Sequence, residues 1–450
     1  MREASATGTP VTIAGAGTGL TGGRVPQGGW LLALQRMNGI EVRDGYVLCG
    51  PGAILRDLGN MATAARQFYP PDPTEYSASI GGTIATNASG SRSFLYGPTR
   101  RYVQALRVVL ASGEAISLRR GEKPPFKIPY VPSPGSRKST AGYFLRPESD
   151  YLDLFIGSEG TLGIITQAEM KLLPARGPLF TGVVFFGSDE KALAAVDQWR
   201  QVPQLAMLEY LDFASLDLLR SRFQEIPAAA RAALLLEQEV HLDGVEEAWM
   251  ERLEAAGADT EGSWFATSAA DRERFRRFRH TLPEVVNETL IRRKLTKIGS
   301  DFAVPIGANL EMLAYYRTVL ERQFHGQYVI FGHIGDAHLH VNILPADAQD
   351  WDRAMGLMKD FAARAVALGG TVSAEHGLGK RKRDLLKLQY SADDIGKMKS
   401  IKRHLDPQWL LGQGTLFSLR KSLPGRLGSS PADSMDAIDH IRRQVRLWGR

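Results

Sequence analysis

The chain has 450 residues and a formal net charge of +6, with 44% hydrophobic and 23% charged residues. This length predicts two or three domains, and this composition is typical of a soluble globular protein. No apolar run approaches membrane-spanning length, and no block of Lys and Arg with interleaved aromatic residues favours nucleic acid as a partner. The single cysteine, Cys49, excludes intramolecular disulfides and a cysteine-ligated iron–sulfur cluster on this chain. No basic and apolar leader is evident, so we expect a cytoplasmic protein.

The first predicted element is a short apolar strand that runs into a glycine-rich stretch, "VTIAGAGTGLTGGRVPQGG". Gly17, Gly19 and Gly22 satisfy the G-x-G-x-x-G spacing of a dinucleotide-binding turn, and Glu41 lies at roughly the distance of a ribose contact. That motif should open a helix, whereas this stretch continues into further glycines and a proline that break helices. We therefore predict a long glycine loop whose backbone N–H groups face an anion such as a diphosphate, with a purely structural turn as the alternative.

Two further glycine loops follow. In "PPDPTEYSASIGGTIATNASGSRSFLYGPTRRYV", Pro71 and Pro73 fix the chain, and Gly81 and Gly82 allow close approach of a ligand. The stretch "LFIGSEGTLGIIT", residues 154–166, is predicted to form a strand, a glycine loop and a second strand. Three such loops in this part of the chain predict one extended ligand held mostly by backbone, as a dinucleotide such as FAD would be.

After residue 177 the pattern changes to alternating strands and helices. "LFTGVVFF", "QLAMLEYLDF" and "AALLLEQEV" predict strands, and "SDEKALAAVDQWRQ" and "GVEEAWMERLEAAG" predict helices, the first capped by Ser188 or Asp189. This alternation predicts an α+β region with one sheet covered by helices. The arginine-rich stretch 271–305 is expected to be mostly a solvated helix face, with one arginine pointing inward.

Three of the chain's nine histidines lie within "FGHIGDAHLHVNILP". A buried imidazole needs a hydrogen-bond partner, a charge or a metal. In a strand, His338, His340 and Asn342 alternate onto one face, and the preceding turn can bring His333 beside them. An acid–histidine pair follows at positions 375 and 376. The residues alone leave two interpretations open: satisfied core histidines, or a metal and catalytic site.

The order of these motifs resembles the vanillyl-alcohol oxidase/p-cresol methylhydroxylase superfamily, and within it the D-lactate, glycolate and D-2-hydroxyglutarate dehydrogenase branch. The resemblance covers roughly residues 9 to 417 and is carried by "GTGLTGG", "PPDP", "SIGGTIATNASG", "YGPTR", "GSEGTLG", "GHIGDAHLHVN" and "SAEHGLG". It implies an α+β fold with a two-subdomain FAD-binding domain of the p-cresol methylhydroxylase type and an α+β ferredoxin-like substrate cap. The implied ranges are 1–177 for the FAD-binding domain, 178–404 for the cap with its metal site, 405–417 for a segment that returns to the FAD-binding domain, and 418–450 for a basic tail.

The resemblance also implies which residues contact the flavin. They are Gly15, Ala16, Gly17, Thr18, Gly19, Leu20, Pro71, Ser79, Gly82, Thr83, Thr86, Asn87, Gly90, Glu159, Gly160 and Ile164. Some members of the superfamily bind FAD covalently through histidine or cysteine. Because the first histidine is His241 and Cys49 lies outside the glycine loops, we expect non-covalent FAD.

The implied activity is the oxidation of a D-2-hydroxy acid (D-lactate, glycolate or D-2-hydroxyglutarate) to the 2-oxo acid, with hydride passing to flavin N5. His333, His340 and Glu375 are implied to hold a divalent ion, Zn or Mn, that orients the substrate. His376 is the implied general base. The alternative for the histidines is an ion-free hydrogen-bonded cluster.

Arg279, Lys297 and Asn342 are the implied substrate-binding residues, and Arg suits the bidentate recognition of a carboxylate. The expected partners are a small 2-hydroxy acid and a separate electron acceptor: a quinone, a cytochrome, an electron-transferring flavoprotein or an iron–sulfur subunit. A homodimer and peripheral association with a membrane are further expectations. Two other functions stay open: a related flavoenzyme acting on an aldonolactone or an ether-lipid precursor, and a flavin-binding subunit of an electron-transfer complex.

The chain departs from the branch in several places. His338 stands where relatives have Asn, Ala337 stands where they have Gly, and residues 412–415 replace an N-P-G-K-like turn. Relatives usually carry several tens of residues before the first glycine loop, so we expect the first strand and helix of the FAD-binding domain to be missing. The tail after residue 417 is expected to be either a solvated extension or a basic amphipathic helix that docks on a partner or an anionic membrane.

Overall fold

Two β-sheets, of five and seven strands, organise the computed structural model, which describes residues 1–241 and 243–418. The smaller sheet lies between residues 40 and 171, and the larger between residues 179 and 343. The predicted α+β class is confirmed. Residues 1–416 pack as one unit, so the domain boundaries at 177 and 404 stay predictions. The predicted tail, apart from residue 418, lies outside the described chain.

The strands are β1 (Val11–Ala14), β2 (Trp30–Ala33), β3 (Ile40–Arg43), β4 (Tyr46–Cys49), β5 (Gln67–Phe68), β6 (Val103–Val109), β7 (Ala115–Arg119), β8 (Ile164–Lys171), β9 (Leu173–Pro174), β10 (Leu179–Phe186), β11 (Leu205–Leu211), β12 (Ala232–Glu239), β13 (Asp259–Phe265), β14 (Ile298–Gly299), β15 (Tyr328–His333) and β16 (His338–Ile343). The α-helices are α1 (Arg2–Thr7), α2 (Leu55–Ala64), α3 (Ile80–Ala85), α4 (Ser93–Tyr96), α5 (Asp189–Trp199), α6 (Phe213–Arg220), α7 (Val245–Ala255), α8 (Ala269–Arg292), α9 (Asn309–Phe324), α10 (Ala348–Ala367), α11 (Leu386–Gln389) and α12 (Ala392–Leu405).

The five-stranded sheet runs in the order β3-β4-β8-β6-β7 with antiparallel neighbours, and β1 pairs with β2 in a separate parallel ladder. The glycine loop predicted after β1 is confirmed, because residues 15–29 form turns and bends. The segment that follows α12 runs beside β1. There the Val11 N–H donates to the Leu410 carbonyl at 2.8 Å, and the Gly412 N–H donates to the Val11 carbonyl at 2.9 Å.

The first strand predicted within residues 154–166 is wrong. Residues Tyr151–Leu154 form a 3-10 helix, which Asp150 and Asp153 close with a capping box, and a series of turns leads from there to β8. The short run "LFI" is fully buried, and a short apolar run does not distinguish a buried strand from a buried helical turn. The second predicted strand of this stretch is β8 and is confirmed.

The second glycine loop contains the short helix α3. A Cβ on Gly81 would lie 2.6 Å from the Pro51 Cβ, so this glycine is required by packing against Pro51. The close approach predicted for a ligand at Gly81 is therefore made by another part of the protein.

The seven-stranded sheet runs in the order β13-β10-β12-β11-β15-β16-β14, with antiparallel neighbours throughout. Its predicted elements β10, α5, β11, β12 and α7 are confirmed, and the Ser188 hydroxyl accepts the Lys191 N–H to cap α5. The apolar side of α8 packs on the sheet together with α6, through Phe275, Phe278, Leu282, Val286 and Leu290. No helix in the described part of the chain combines the length and apolarity needed to cross a bilayer.

Candidate active site

A tight hairpin between β15 and β16 carries the three histidines. The two strands are antiparallel, with His333 opposite His338, and a 3-10 turn over Ile334–Asp336 joins them. Ala337 follows this turn with φ of 53°, in the left-handed region that disfavours residues with a Cβ. This backbone conformation explains why relatives in the branch that the sequence resembles have Gly at this position.

The side chains of His333, His338 and His340 converge on Glu375, which lies in the loop after α10. The ring centroids are 4.4 Å apart for His338 and His340, 5.4 Å for His333 and His338, and 5.5 Å for His333 and His340. The Glu375 Oε1 lies 3.3 Å from the His333 Nε2 and 3.5 Å from the His340 Nε2. One donor atom from each of the four residues lies within 4.8 Å of the others. The structure thus gathers the three predicted metal ligands and adds His338 to them.

Each histidine turns its second ring nitrogen toward an oxygen outside the cluster. The His333 Nδ1 lies 2.7 Å from the Glu209 Oε1, and the His340 Nδ1 lies 3.2 Å from the Ser300 carbonyl oxygen. The His338 Nε2 lies 3.3 Å from the Asp301 Oδ1. An oxygen at this position fixes ring orientation and tautomer, and it leaves the opposite nitrogen free to bind a metal.

The other oxygen of Glu375 is held from the N-terminal half of the chain. The Ser89 hydroxyl donates to the Glu375 Oε2 at 3.2 Å, and the buried Lys138 Nζ lies 3.5 Å from the same atom. Although burial acts to raise it, the pKa of Glu375 is held well below its usual range, because His333 and Lys138 lie beside the carboxylate. Glu375 is therefore ionised, with the Oε1 directed at the histidines.

His376 stands beside the cluster with its ring stacked on His340, at 5.6 Å between centroids and 14° between planes. Its backbone N–H donates to the Asp301 Oδ2 at 3.0 Å, and its Nδ1 lies 3.6 Å from the Asp301 Oδ1. Burial lowers the pKa of His376 to about 4, against the opposing effect of Asp301. The ring is therefore neutral at physiological pH, which is the form that can accept a proton.

The three predicted substrate residues have different environments. Arg279 points inward from α8 and forms a two-pronged ion pair with Glu209, while its Nη1 donates to the Thr74 hydroxyl at 3.0 Å. Lys297 and Asn342 meet at Gly299, where a Cβ would lie 3.4 Å from the Lys297 Cε and 3.0 Å from the Asn342 Oδ1. The surrounding protein displaces water from the Lys297 ammonium and, with Lys382 nearby, lowers its pKa to about 8.

The three glycine loops converge on the segment that carries Glu375 and His376. From the first loop, the Thr21 carbonyl accepts the backbone N–H groups of Lys380 and Arg381. From the third loop, the Glu159 carboxylate accepts the N–H groups of residues 378 and 379, at 2.9 and 2.7 Å. Burial raises the pKa of Glu159 to about 7, opposed by these two N–H groups. The second loop reaches the same segment through Ser89, so one stretch of chain links the predicted flavin loops to the histidine cluster.

Several predicted flavin contacts are already engaged within the protein. The Ala16 N–H donates to the Ser79 hydroxyl at 3.2 Å, the Thr86 hydroxyl donates to the Gly82 carbonyl at 3.0 Å, and the Asn87 Oδ1 accepts the Arg100 N–H at 2.9 Å. By contrast, the backbone N–H groups of residues 17–20 donate to no other described residue. Four successive free donors on a glycine loop suit an anion such as the diphosphate of FAD.

The sequence did not reveal four residues that support the cluster: Ser89, Lys138, Glu209 and Asp301. One signal was available for Glu209. It is the only charged residue in β11, where all seven positions are buried, and a buried carboxylate needs a partner. The other three lie in irregular segments, where the sequence shows nothing that separates them from ordinary polar residues.

Two family descriptions match the chain. Residues 1–119 match the FAD binding domain, and residues 180–416 match the C-terminal domain of FAD linked oxidases. The protein is similar to the glycolate oxidase subunit GlcD of Bacillus subtilis, with 32% identity over 91% of this chain and 84% of that protein. It is equally similar to a D-2-hydroxyglutarate dehydrogenase of Xanthomonas citri, with 32% identity over 93% and 86% of the two chains. A D-lactate dehydrogenase of Archaeoglobus fulgidus is 30% identical over 92% and 87%.

The chain therefore belongs to the FAD-linked oxidase family, and the resemblance drawn from its motifs is confirmed. It is an FAD-linked oxidoreductase of the group that contains the D-lactate, glycolate and D-2-hydroxyglutarate enzymes. Among solved structures, an alkyldihydroxyacetonephosphate synthase covers 91% of this chain and 74% of its own, with a TM-score of 0.66. Its sequence identity of 18% shows a shared fold and does not extend to its substrate.

Proposed function

We propose that the protein oxidises a D-2-hydroxy acid, such as D-lactate, glycolate or D-2-hydroxyglutarate, to the corresponding 2-oxo acid. The proposal combines the group to which the chain belongs with the chemistry of the histidine cluster. It assigns substrate binding to Lys297, Asn342 and Arg279, and proton removal to His376.

The observation that carries this proposal is the state of Asn342. Its side chain is 1% exposed, yet neither its amide oxygen nor its amide nitrogen has a hydrogen-bond partner among the described residues. Leaving such a group unsatisfied costs about 1–3 kcal/mol. It lies on the same face of β16 as His338 and His340, and a Cβ on Gly299 would lie 3.0 Å from its Oδ1 and 3.4 Å from the Lys297 Cε. An amide and a cation at this point suit the hydroxyl and carboxylate of a small hydroxy acid.

A divalent metal fits the donor set of the cluster. His333, His340 and Glu375 would hold it, and an ion there would supply a Lewis acid for the oxygens of the substrate. Glu209 contacts the His333 Nδ1 and the Ser300 carbonyl contacts the His340 Nδ1, so both rings are oriented with their Nε2 atoms toward a common point. This orientation favours a metal over an ion-free hydrogen-bonded cluster.

FAD fits the free backbone donors of residues 17–20, and bound FAD supplies the acceptor for the hydride that leaves the substrate carbon. We propose that it is held without a covalent bond. The one cysteine, Cys49, is buried, and a hydrogen bond from its thiol to the Ala168 carbonyl fixes it within the five-stranded sheet.

His376 is the proposed base. Asp301 holds its backbone N–H and faces its Nδ1, which leaves the Nε2 to accept the proton of the substrate hydroxyl. A neutral ring that is held by a carboxylate on one side needs no reorientation before it takes this proton.

Arg279 contributes to substrate binding in two ways. Three of its five N–H donors are used by Glu209 and Thr74, so two remain for a substrate carboxylate. Through Glu209, the same guanidinium also steadies the His333 ring. The electrons must then leave to a separate acceptor, since the single cysteine provides no iron–sulfur site on this chain.

The test is anaerobic mixing of the flavin-containing protein with D-lactate, glycolate, D-2-hydroxyglutarate and the L-enantiomers. We expect the visible flavin absorption to bleach with at least one of these acids, and with the D-form where the acid is chiral. Dithionite serves as the control that the flavin can be reduced. A flavin that dithionite reduces but every 2-hydroxy acid leaves oxidised would refute the proposal.

A further inference from the structure

We propose that His338 is a metal ligand through its Nδ1, so that the site has three imidazoles and one carboxylate rather than two imidazoles and one carboxylate. This inference rests on the metal site of the proposed function and extends it. The related pattern has Asn at this position, so nothing in the resemblance assigns a ligand here.

The first support is the unsatisfied ring. His338 is 0% exposed, and neither its Nδ1 nor its Nε2 has a hydrogen-bond partner among the residues that the structure describes. The Nδ1 faces the cluster and lies 3.9 Å from the Glu375 Oε2. A buried imidazole nitrogen without a partner is costly unless something binds there.

The second support is the shared arrangement of the three rings. His333 and His340 each have one nitrogen directed at Glu375 and the other at an oxygen outside the cluster. The His338 ring has a similar orientation, with its Nε2 3.3 Å from the Asp301 Oδ1, although this contact lacks hydrogen-bond geometry. A carboxylate behind a histidine is the usual partner of a metal-binding imidazole, because it keeps the proton on the outer nitrogen.

The third support is the compactness of the donors. Donor atoms of His333, His338, His340 and Glu375 can be chosen that all lie within 4.8 Å of one another. Three imidazoles and one carboxylate would favour Zn²⁺ over Mn²⁺, which prefers oxygen ligands.

The alternative is that His338 is a core histidine whose only role is its contact with Asp301. That contact alone leaves the Nδ1 unpaired, and it does not explain why the ring is aligned with the other two. The two interpretations predict different metal binding, which can be measured without any substrate.

The experiment uses the FAD-containing protein after removal of metal with a chelator, followed by titration with Zn²⁺ against a chromophoric chelator. His338→Asn, which installs the residue of the related pattern, should lower the Zn²⁺ affinity at least about tenfold. His325→Asn is the matched control, because His325 is exposed at the end of α9 and lies outside the cluster. That control should bind Zn²⁺ like the unmodified protein.

A second measurement needs no variant. X-ray absorption of Zn²⁺ bound to the unmodified protein should fit three imidazole nitrogens, and Co²⁺ in its place should give the intense visible bands of a tetrahedral site. Two imidazoles in the fit, or a His338→Asn variant with unchanged Zn²⁺ affinity, would overturn the inference. Flavin reduction by a hydroxy acid is scored separately, so normal reduction together with either of those results leaves the proposed function standing.

Discussion

The two halves of the proposed site are built in opposite ways. In the N-terminal half, the groups left free for a ligand are backbone N–H donors at residues 17–20, while nearby polar side chains bond within the protein. In the histidine cluster, the groups left free are ring nitrogens and an amide, each mounted on a buried side chain. The position of the backbone N–H groups depends on the local conformation of the glycine loop. The position of the side chains in the cluster depends on contacts with residues from distant parts of the chain.

The largest expected effect concerns the histidine cluster, where two variants should distinguish the proposed base, His376, from a proposed metal ligand, His340. His376→Ala should keep FAD and metal and slow flavin reduction by about a hundredfold or more, the usual loss for a missing general base. His340→Ala should instead lose metal, and activity with it. Metal analysis and anaerobic reduction kinetics on both variants decide this point.

Two results would contradict the division of roles: a His376→Ala protein without metal, or a His340→Ala protein with full metal content and full rate. Because His338 and His340 lie on the same face, His338 could retain an ion when His340 is removed. The double variant of His338 and His340 is therefore the control for that compensation.

The next prediction concerns a residue that orients a metal-binding histidine and is not itself a proposed metal ligand. Glu209→Gln removes the carboxylate behind His333, and we expect metal affinity to fall by about 10- to 100-fold. Glu237→Gln is a closely matched control. Glu209 and Glu237 are buried to 3% and 4% exposure, and each forms an ion pair with arginine, but Glu237 contacts no histidine among the described residues.

Both changes should lower the free energy of unfolding, by up to about 3–5 kcal/mol for Glu209→Gln, because Arg279 loses its carboxylate partner, and by less for Glu237→Gln, because Arg92 keeps its ion pair with Asp72. Only Glu209→Gln should change metal affinity. Equal metal affinity in the two variants would show that the Glu209 carboxylate serves stability alone.

The length of an apolar run was sufficient to predict much of the larger sheet. β10, β11 and β12 are buried at nearly every position, so uninterrupted runs of seven or eight residues, and not an alternation, place them, whereas the buried residues of α5 recur at helical spacing. The apolar run at 154–156 failed because three buried residues are too few to distinguish a strand from a helical turn. Its helical turn is set by Asp150 and Asp153, whose capping box is a local feature that the strand interpretation overlooked.

The sequence predicted the reactive residues of the candidate site, but it did not predict the residues that hold them in position. Alternation within β16 is enough to gather His338, His340 and Asn342, because side chains two apart share a face. Glu209 lies 124 residues before His333 in the sequence, and only the tertiary fold brings the two together. The same holds for Arg279: an inward arginine was expected, but its pairing with Glu209 depends on how α8 packs on the sheet.

The smallest expected effects compare two glycines of the backbone half. A Cβ on Gly90 would lie 1.7 Å from the Asp72 carbonyl oxygen and 2.5 Å from its carbon, and neither backbone can yield cheaply. A Cβ on Gly19 would have no atom within 4 Å. We therefore expect Gly90→Ala to lower the free energy of unfolding of the flavin-free protein by about 1–3 kcal/mol, while Gly19→Ala leaves it nearly unchanged.

If the free N–H groups of residues 17–20 bind the diphosphate, Gly19→Ala should weaken FAD binding more than Gly90→Ala does. This is the reverse of their expected effects on the free energy of unfolding. A methyl group on Gly19 would then crowd the donors and weaken FAD binding without harming the fold, since the space it enters is open in the flavin-free protein. Gly90→Ala, measured below its unfolding temperature, should change FAD affinity less than it changes stability. If Gly19→Ala binds FAD like the unmodified protein, the first glycine loop is a structural turn, and the flavin must be held by side chains of the other two loops.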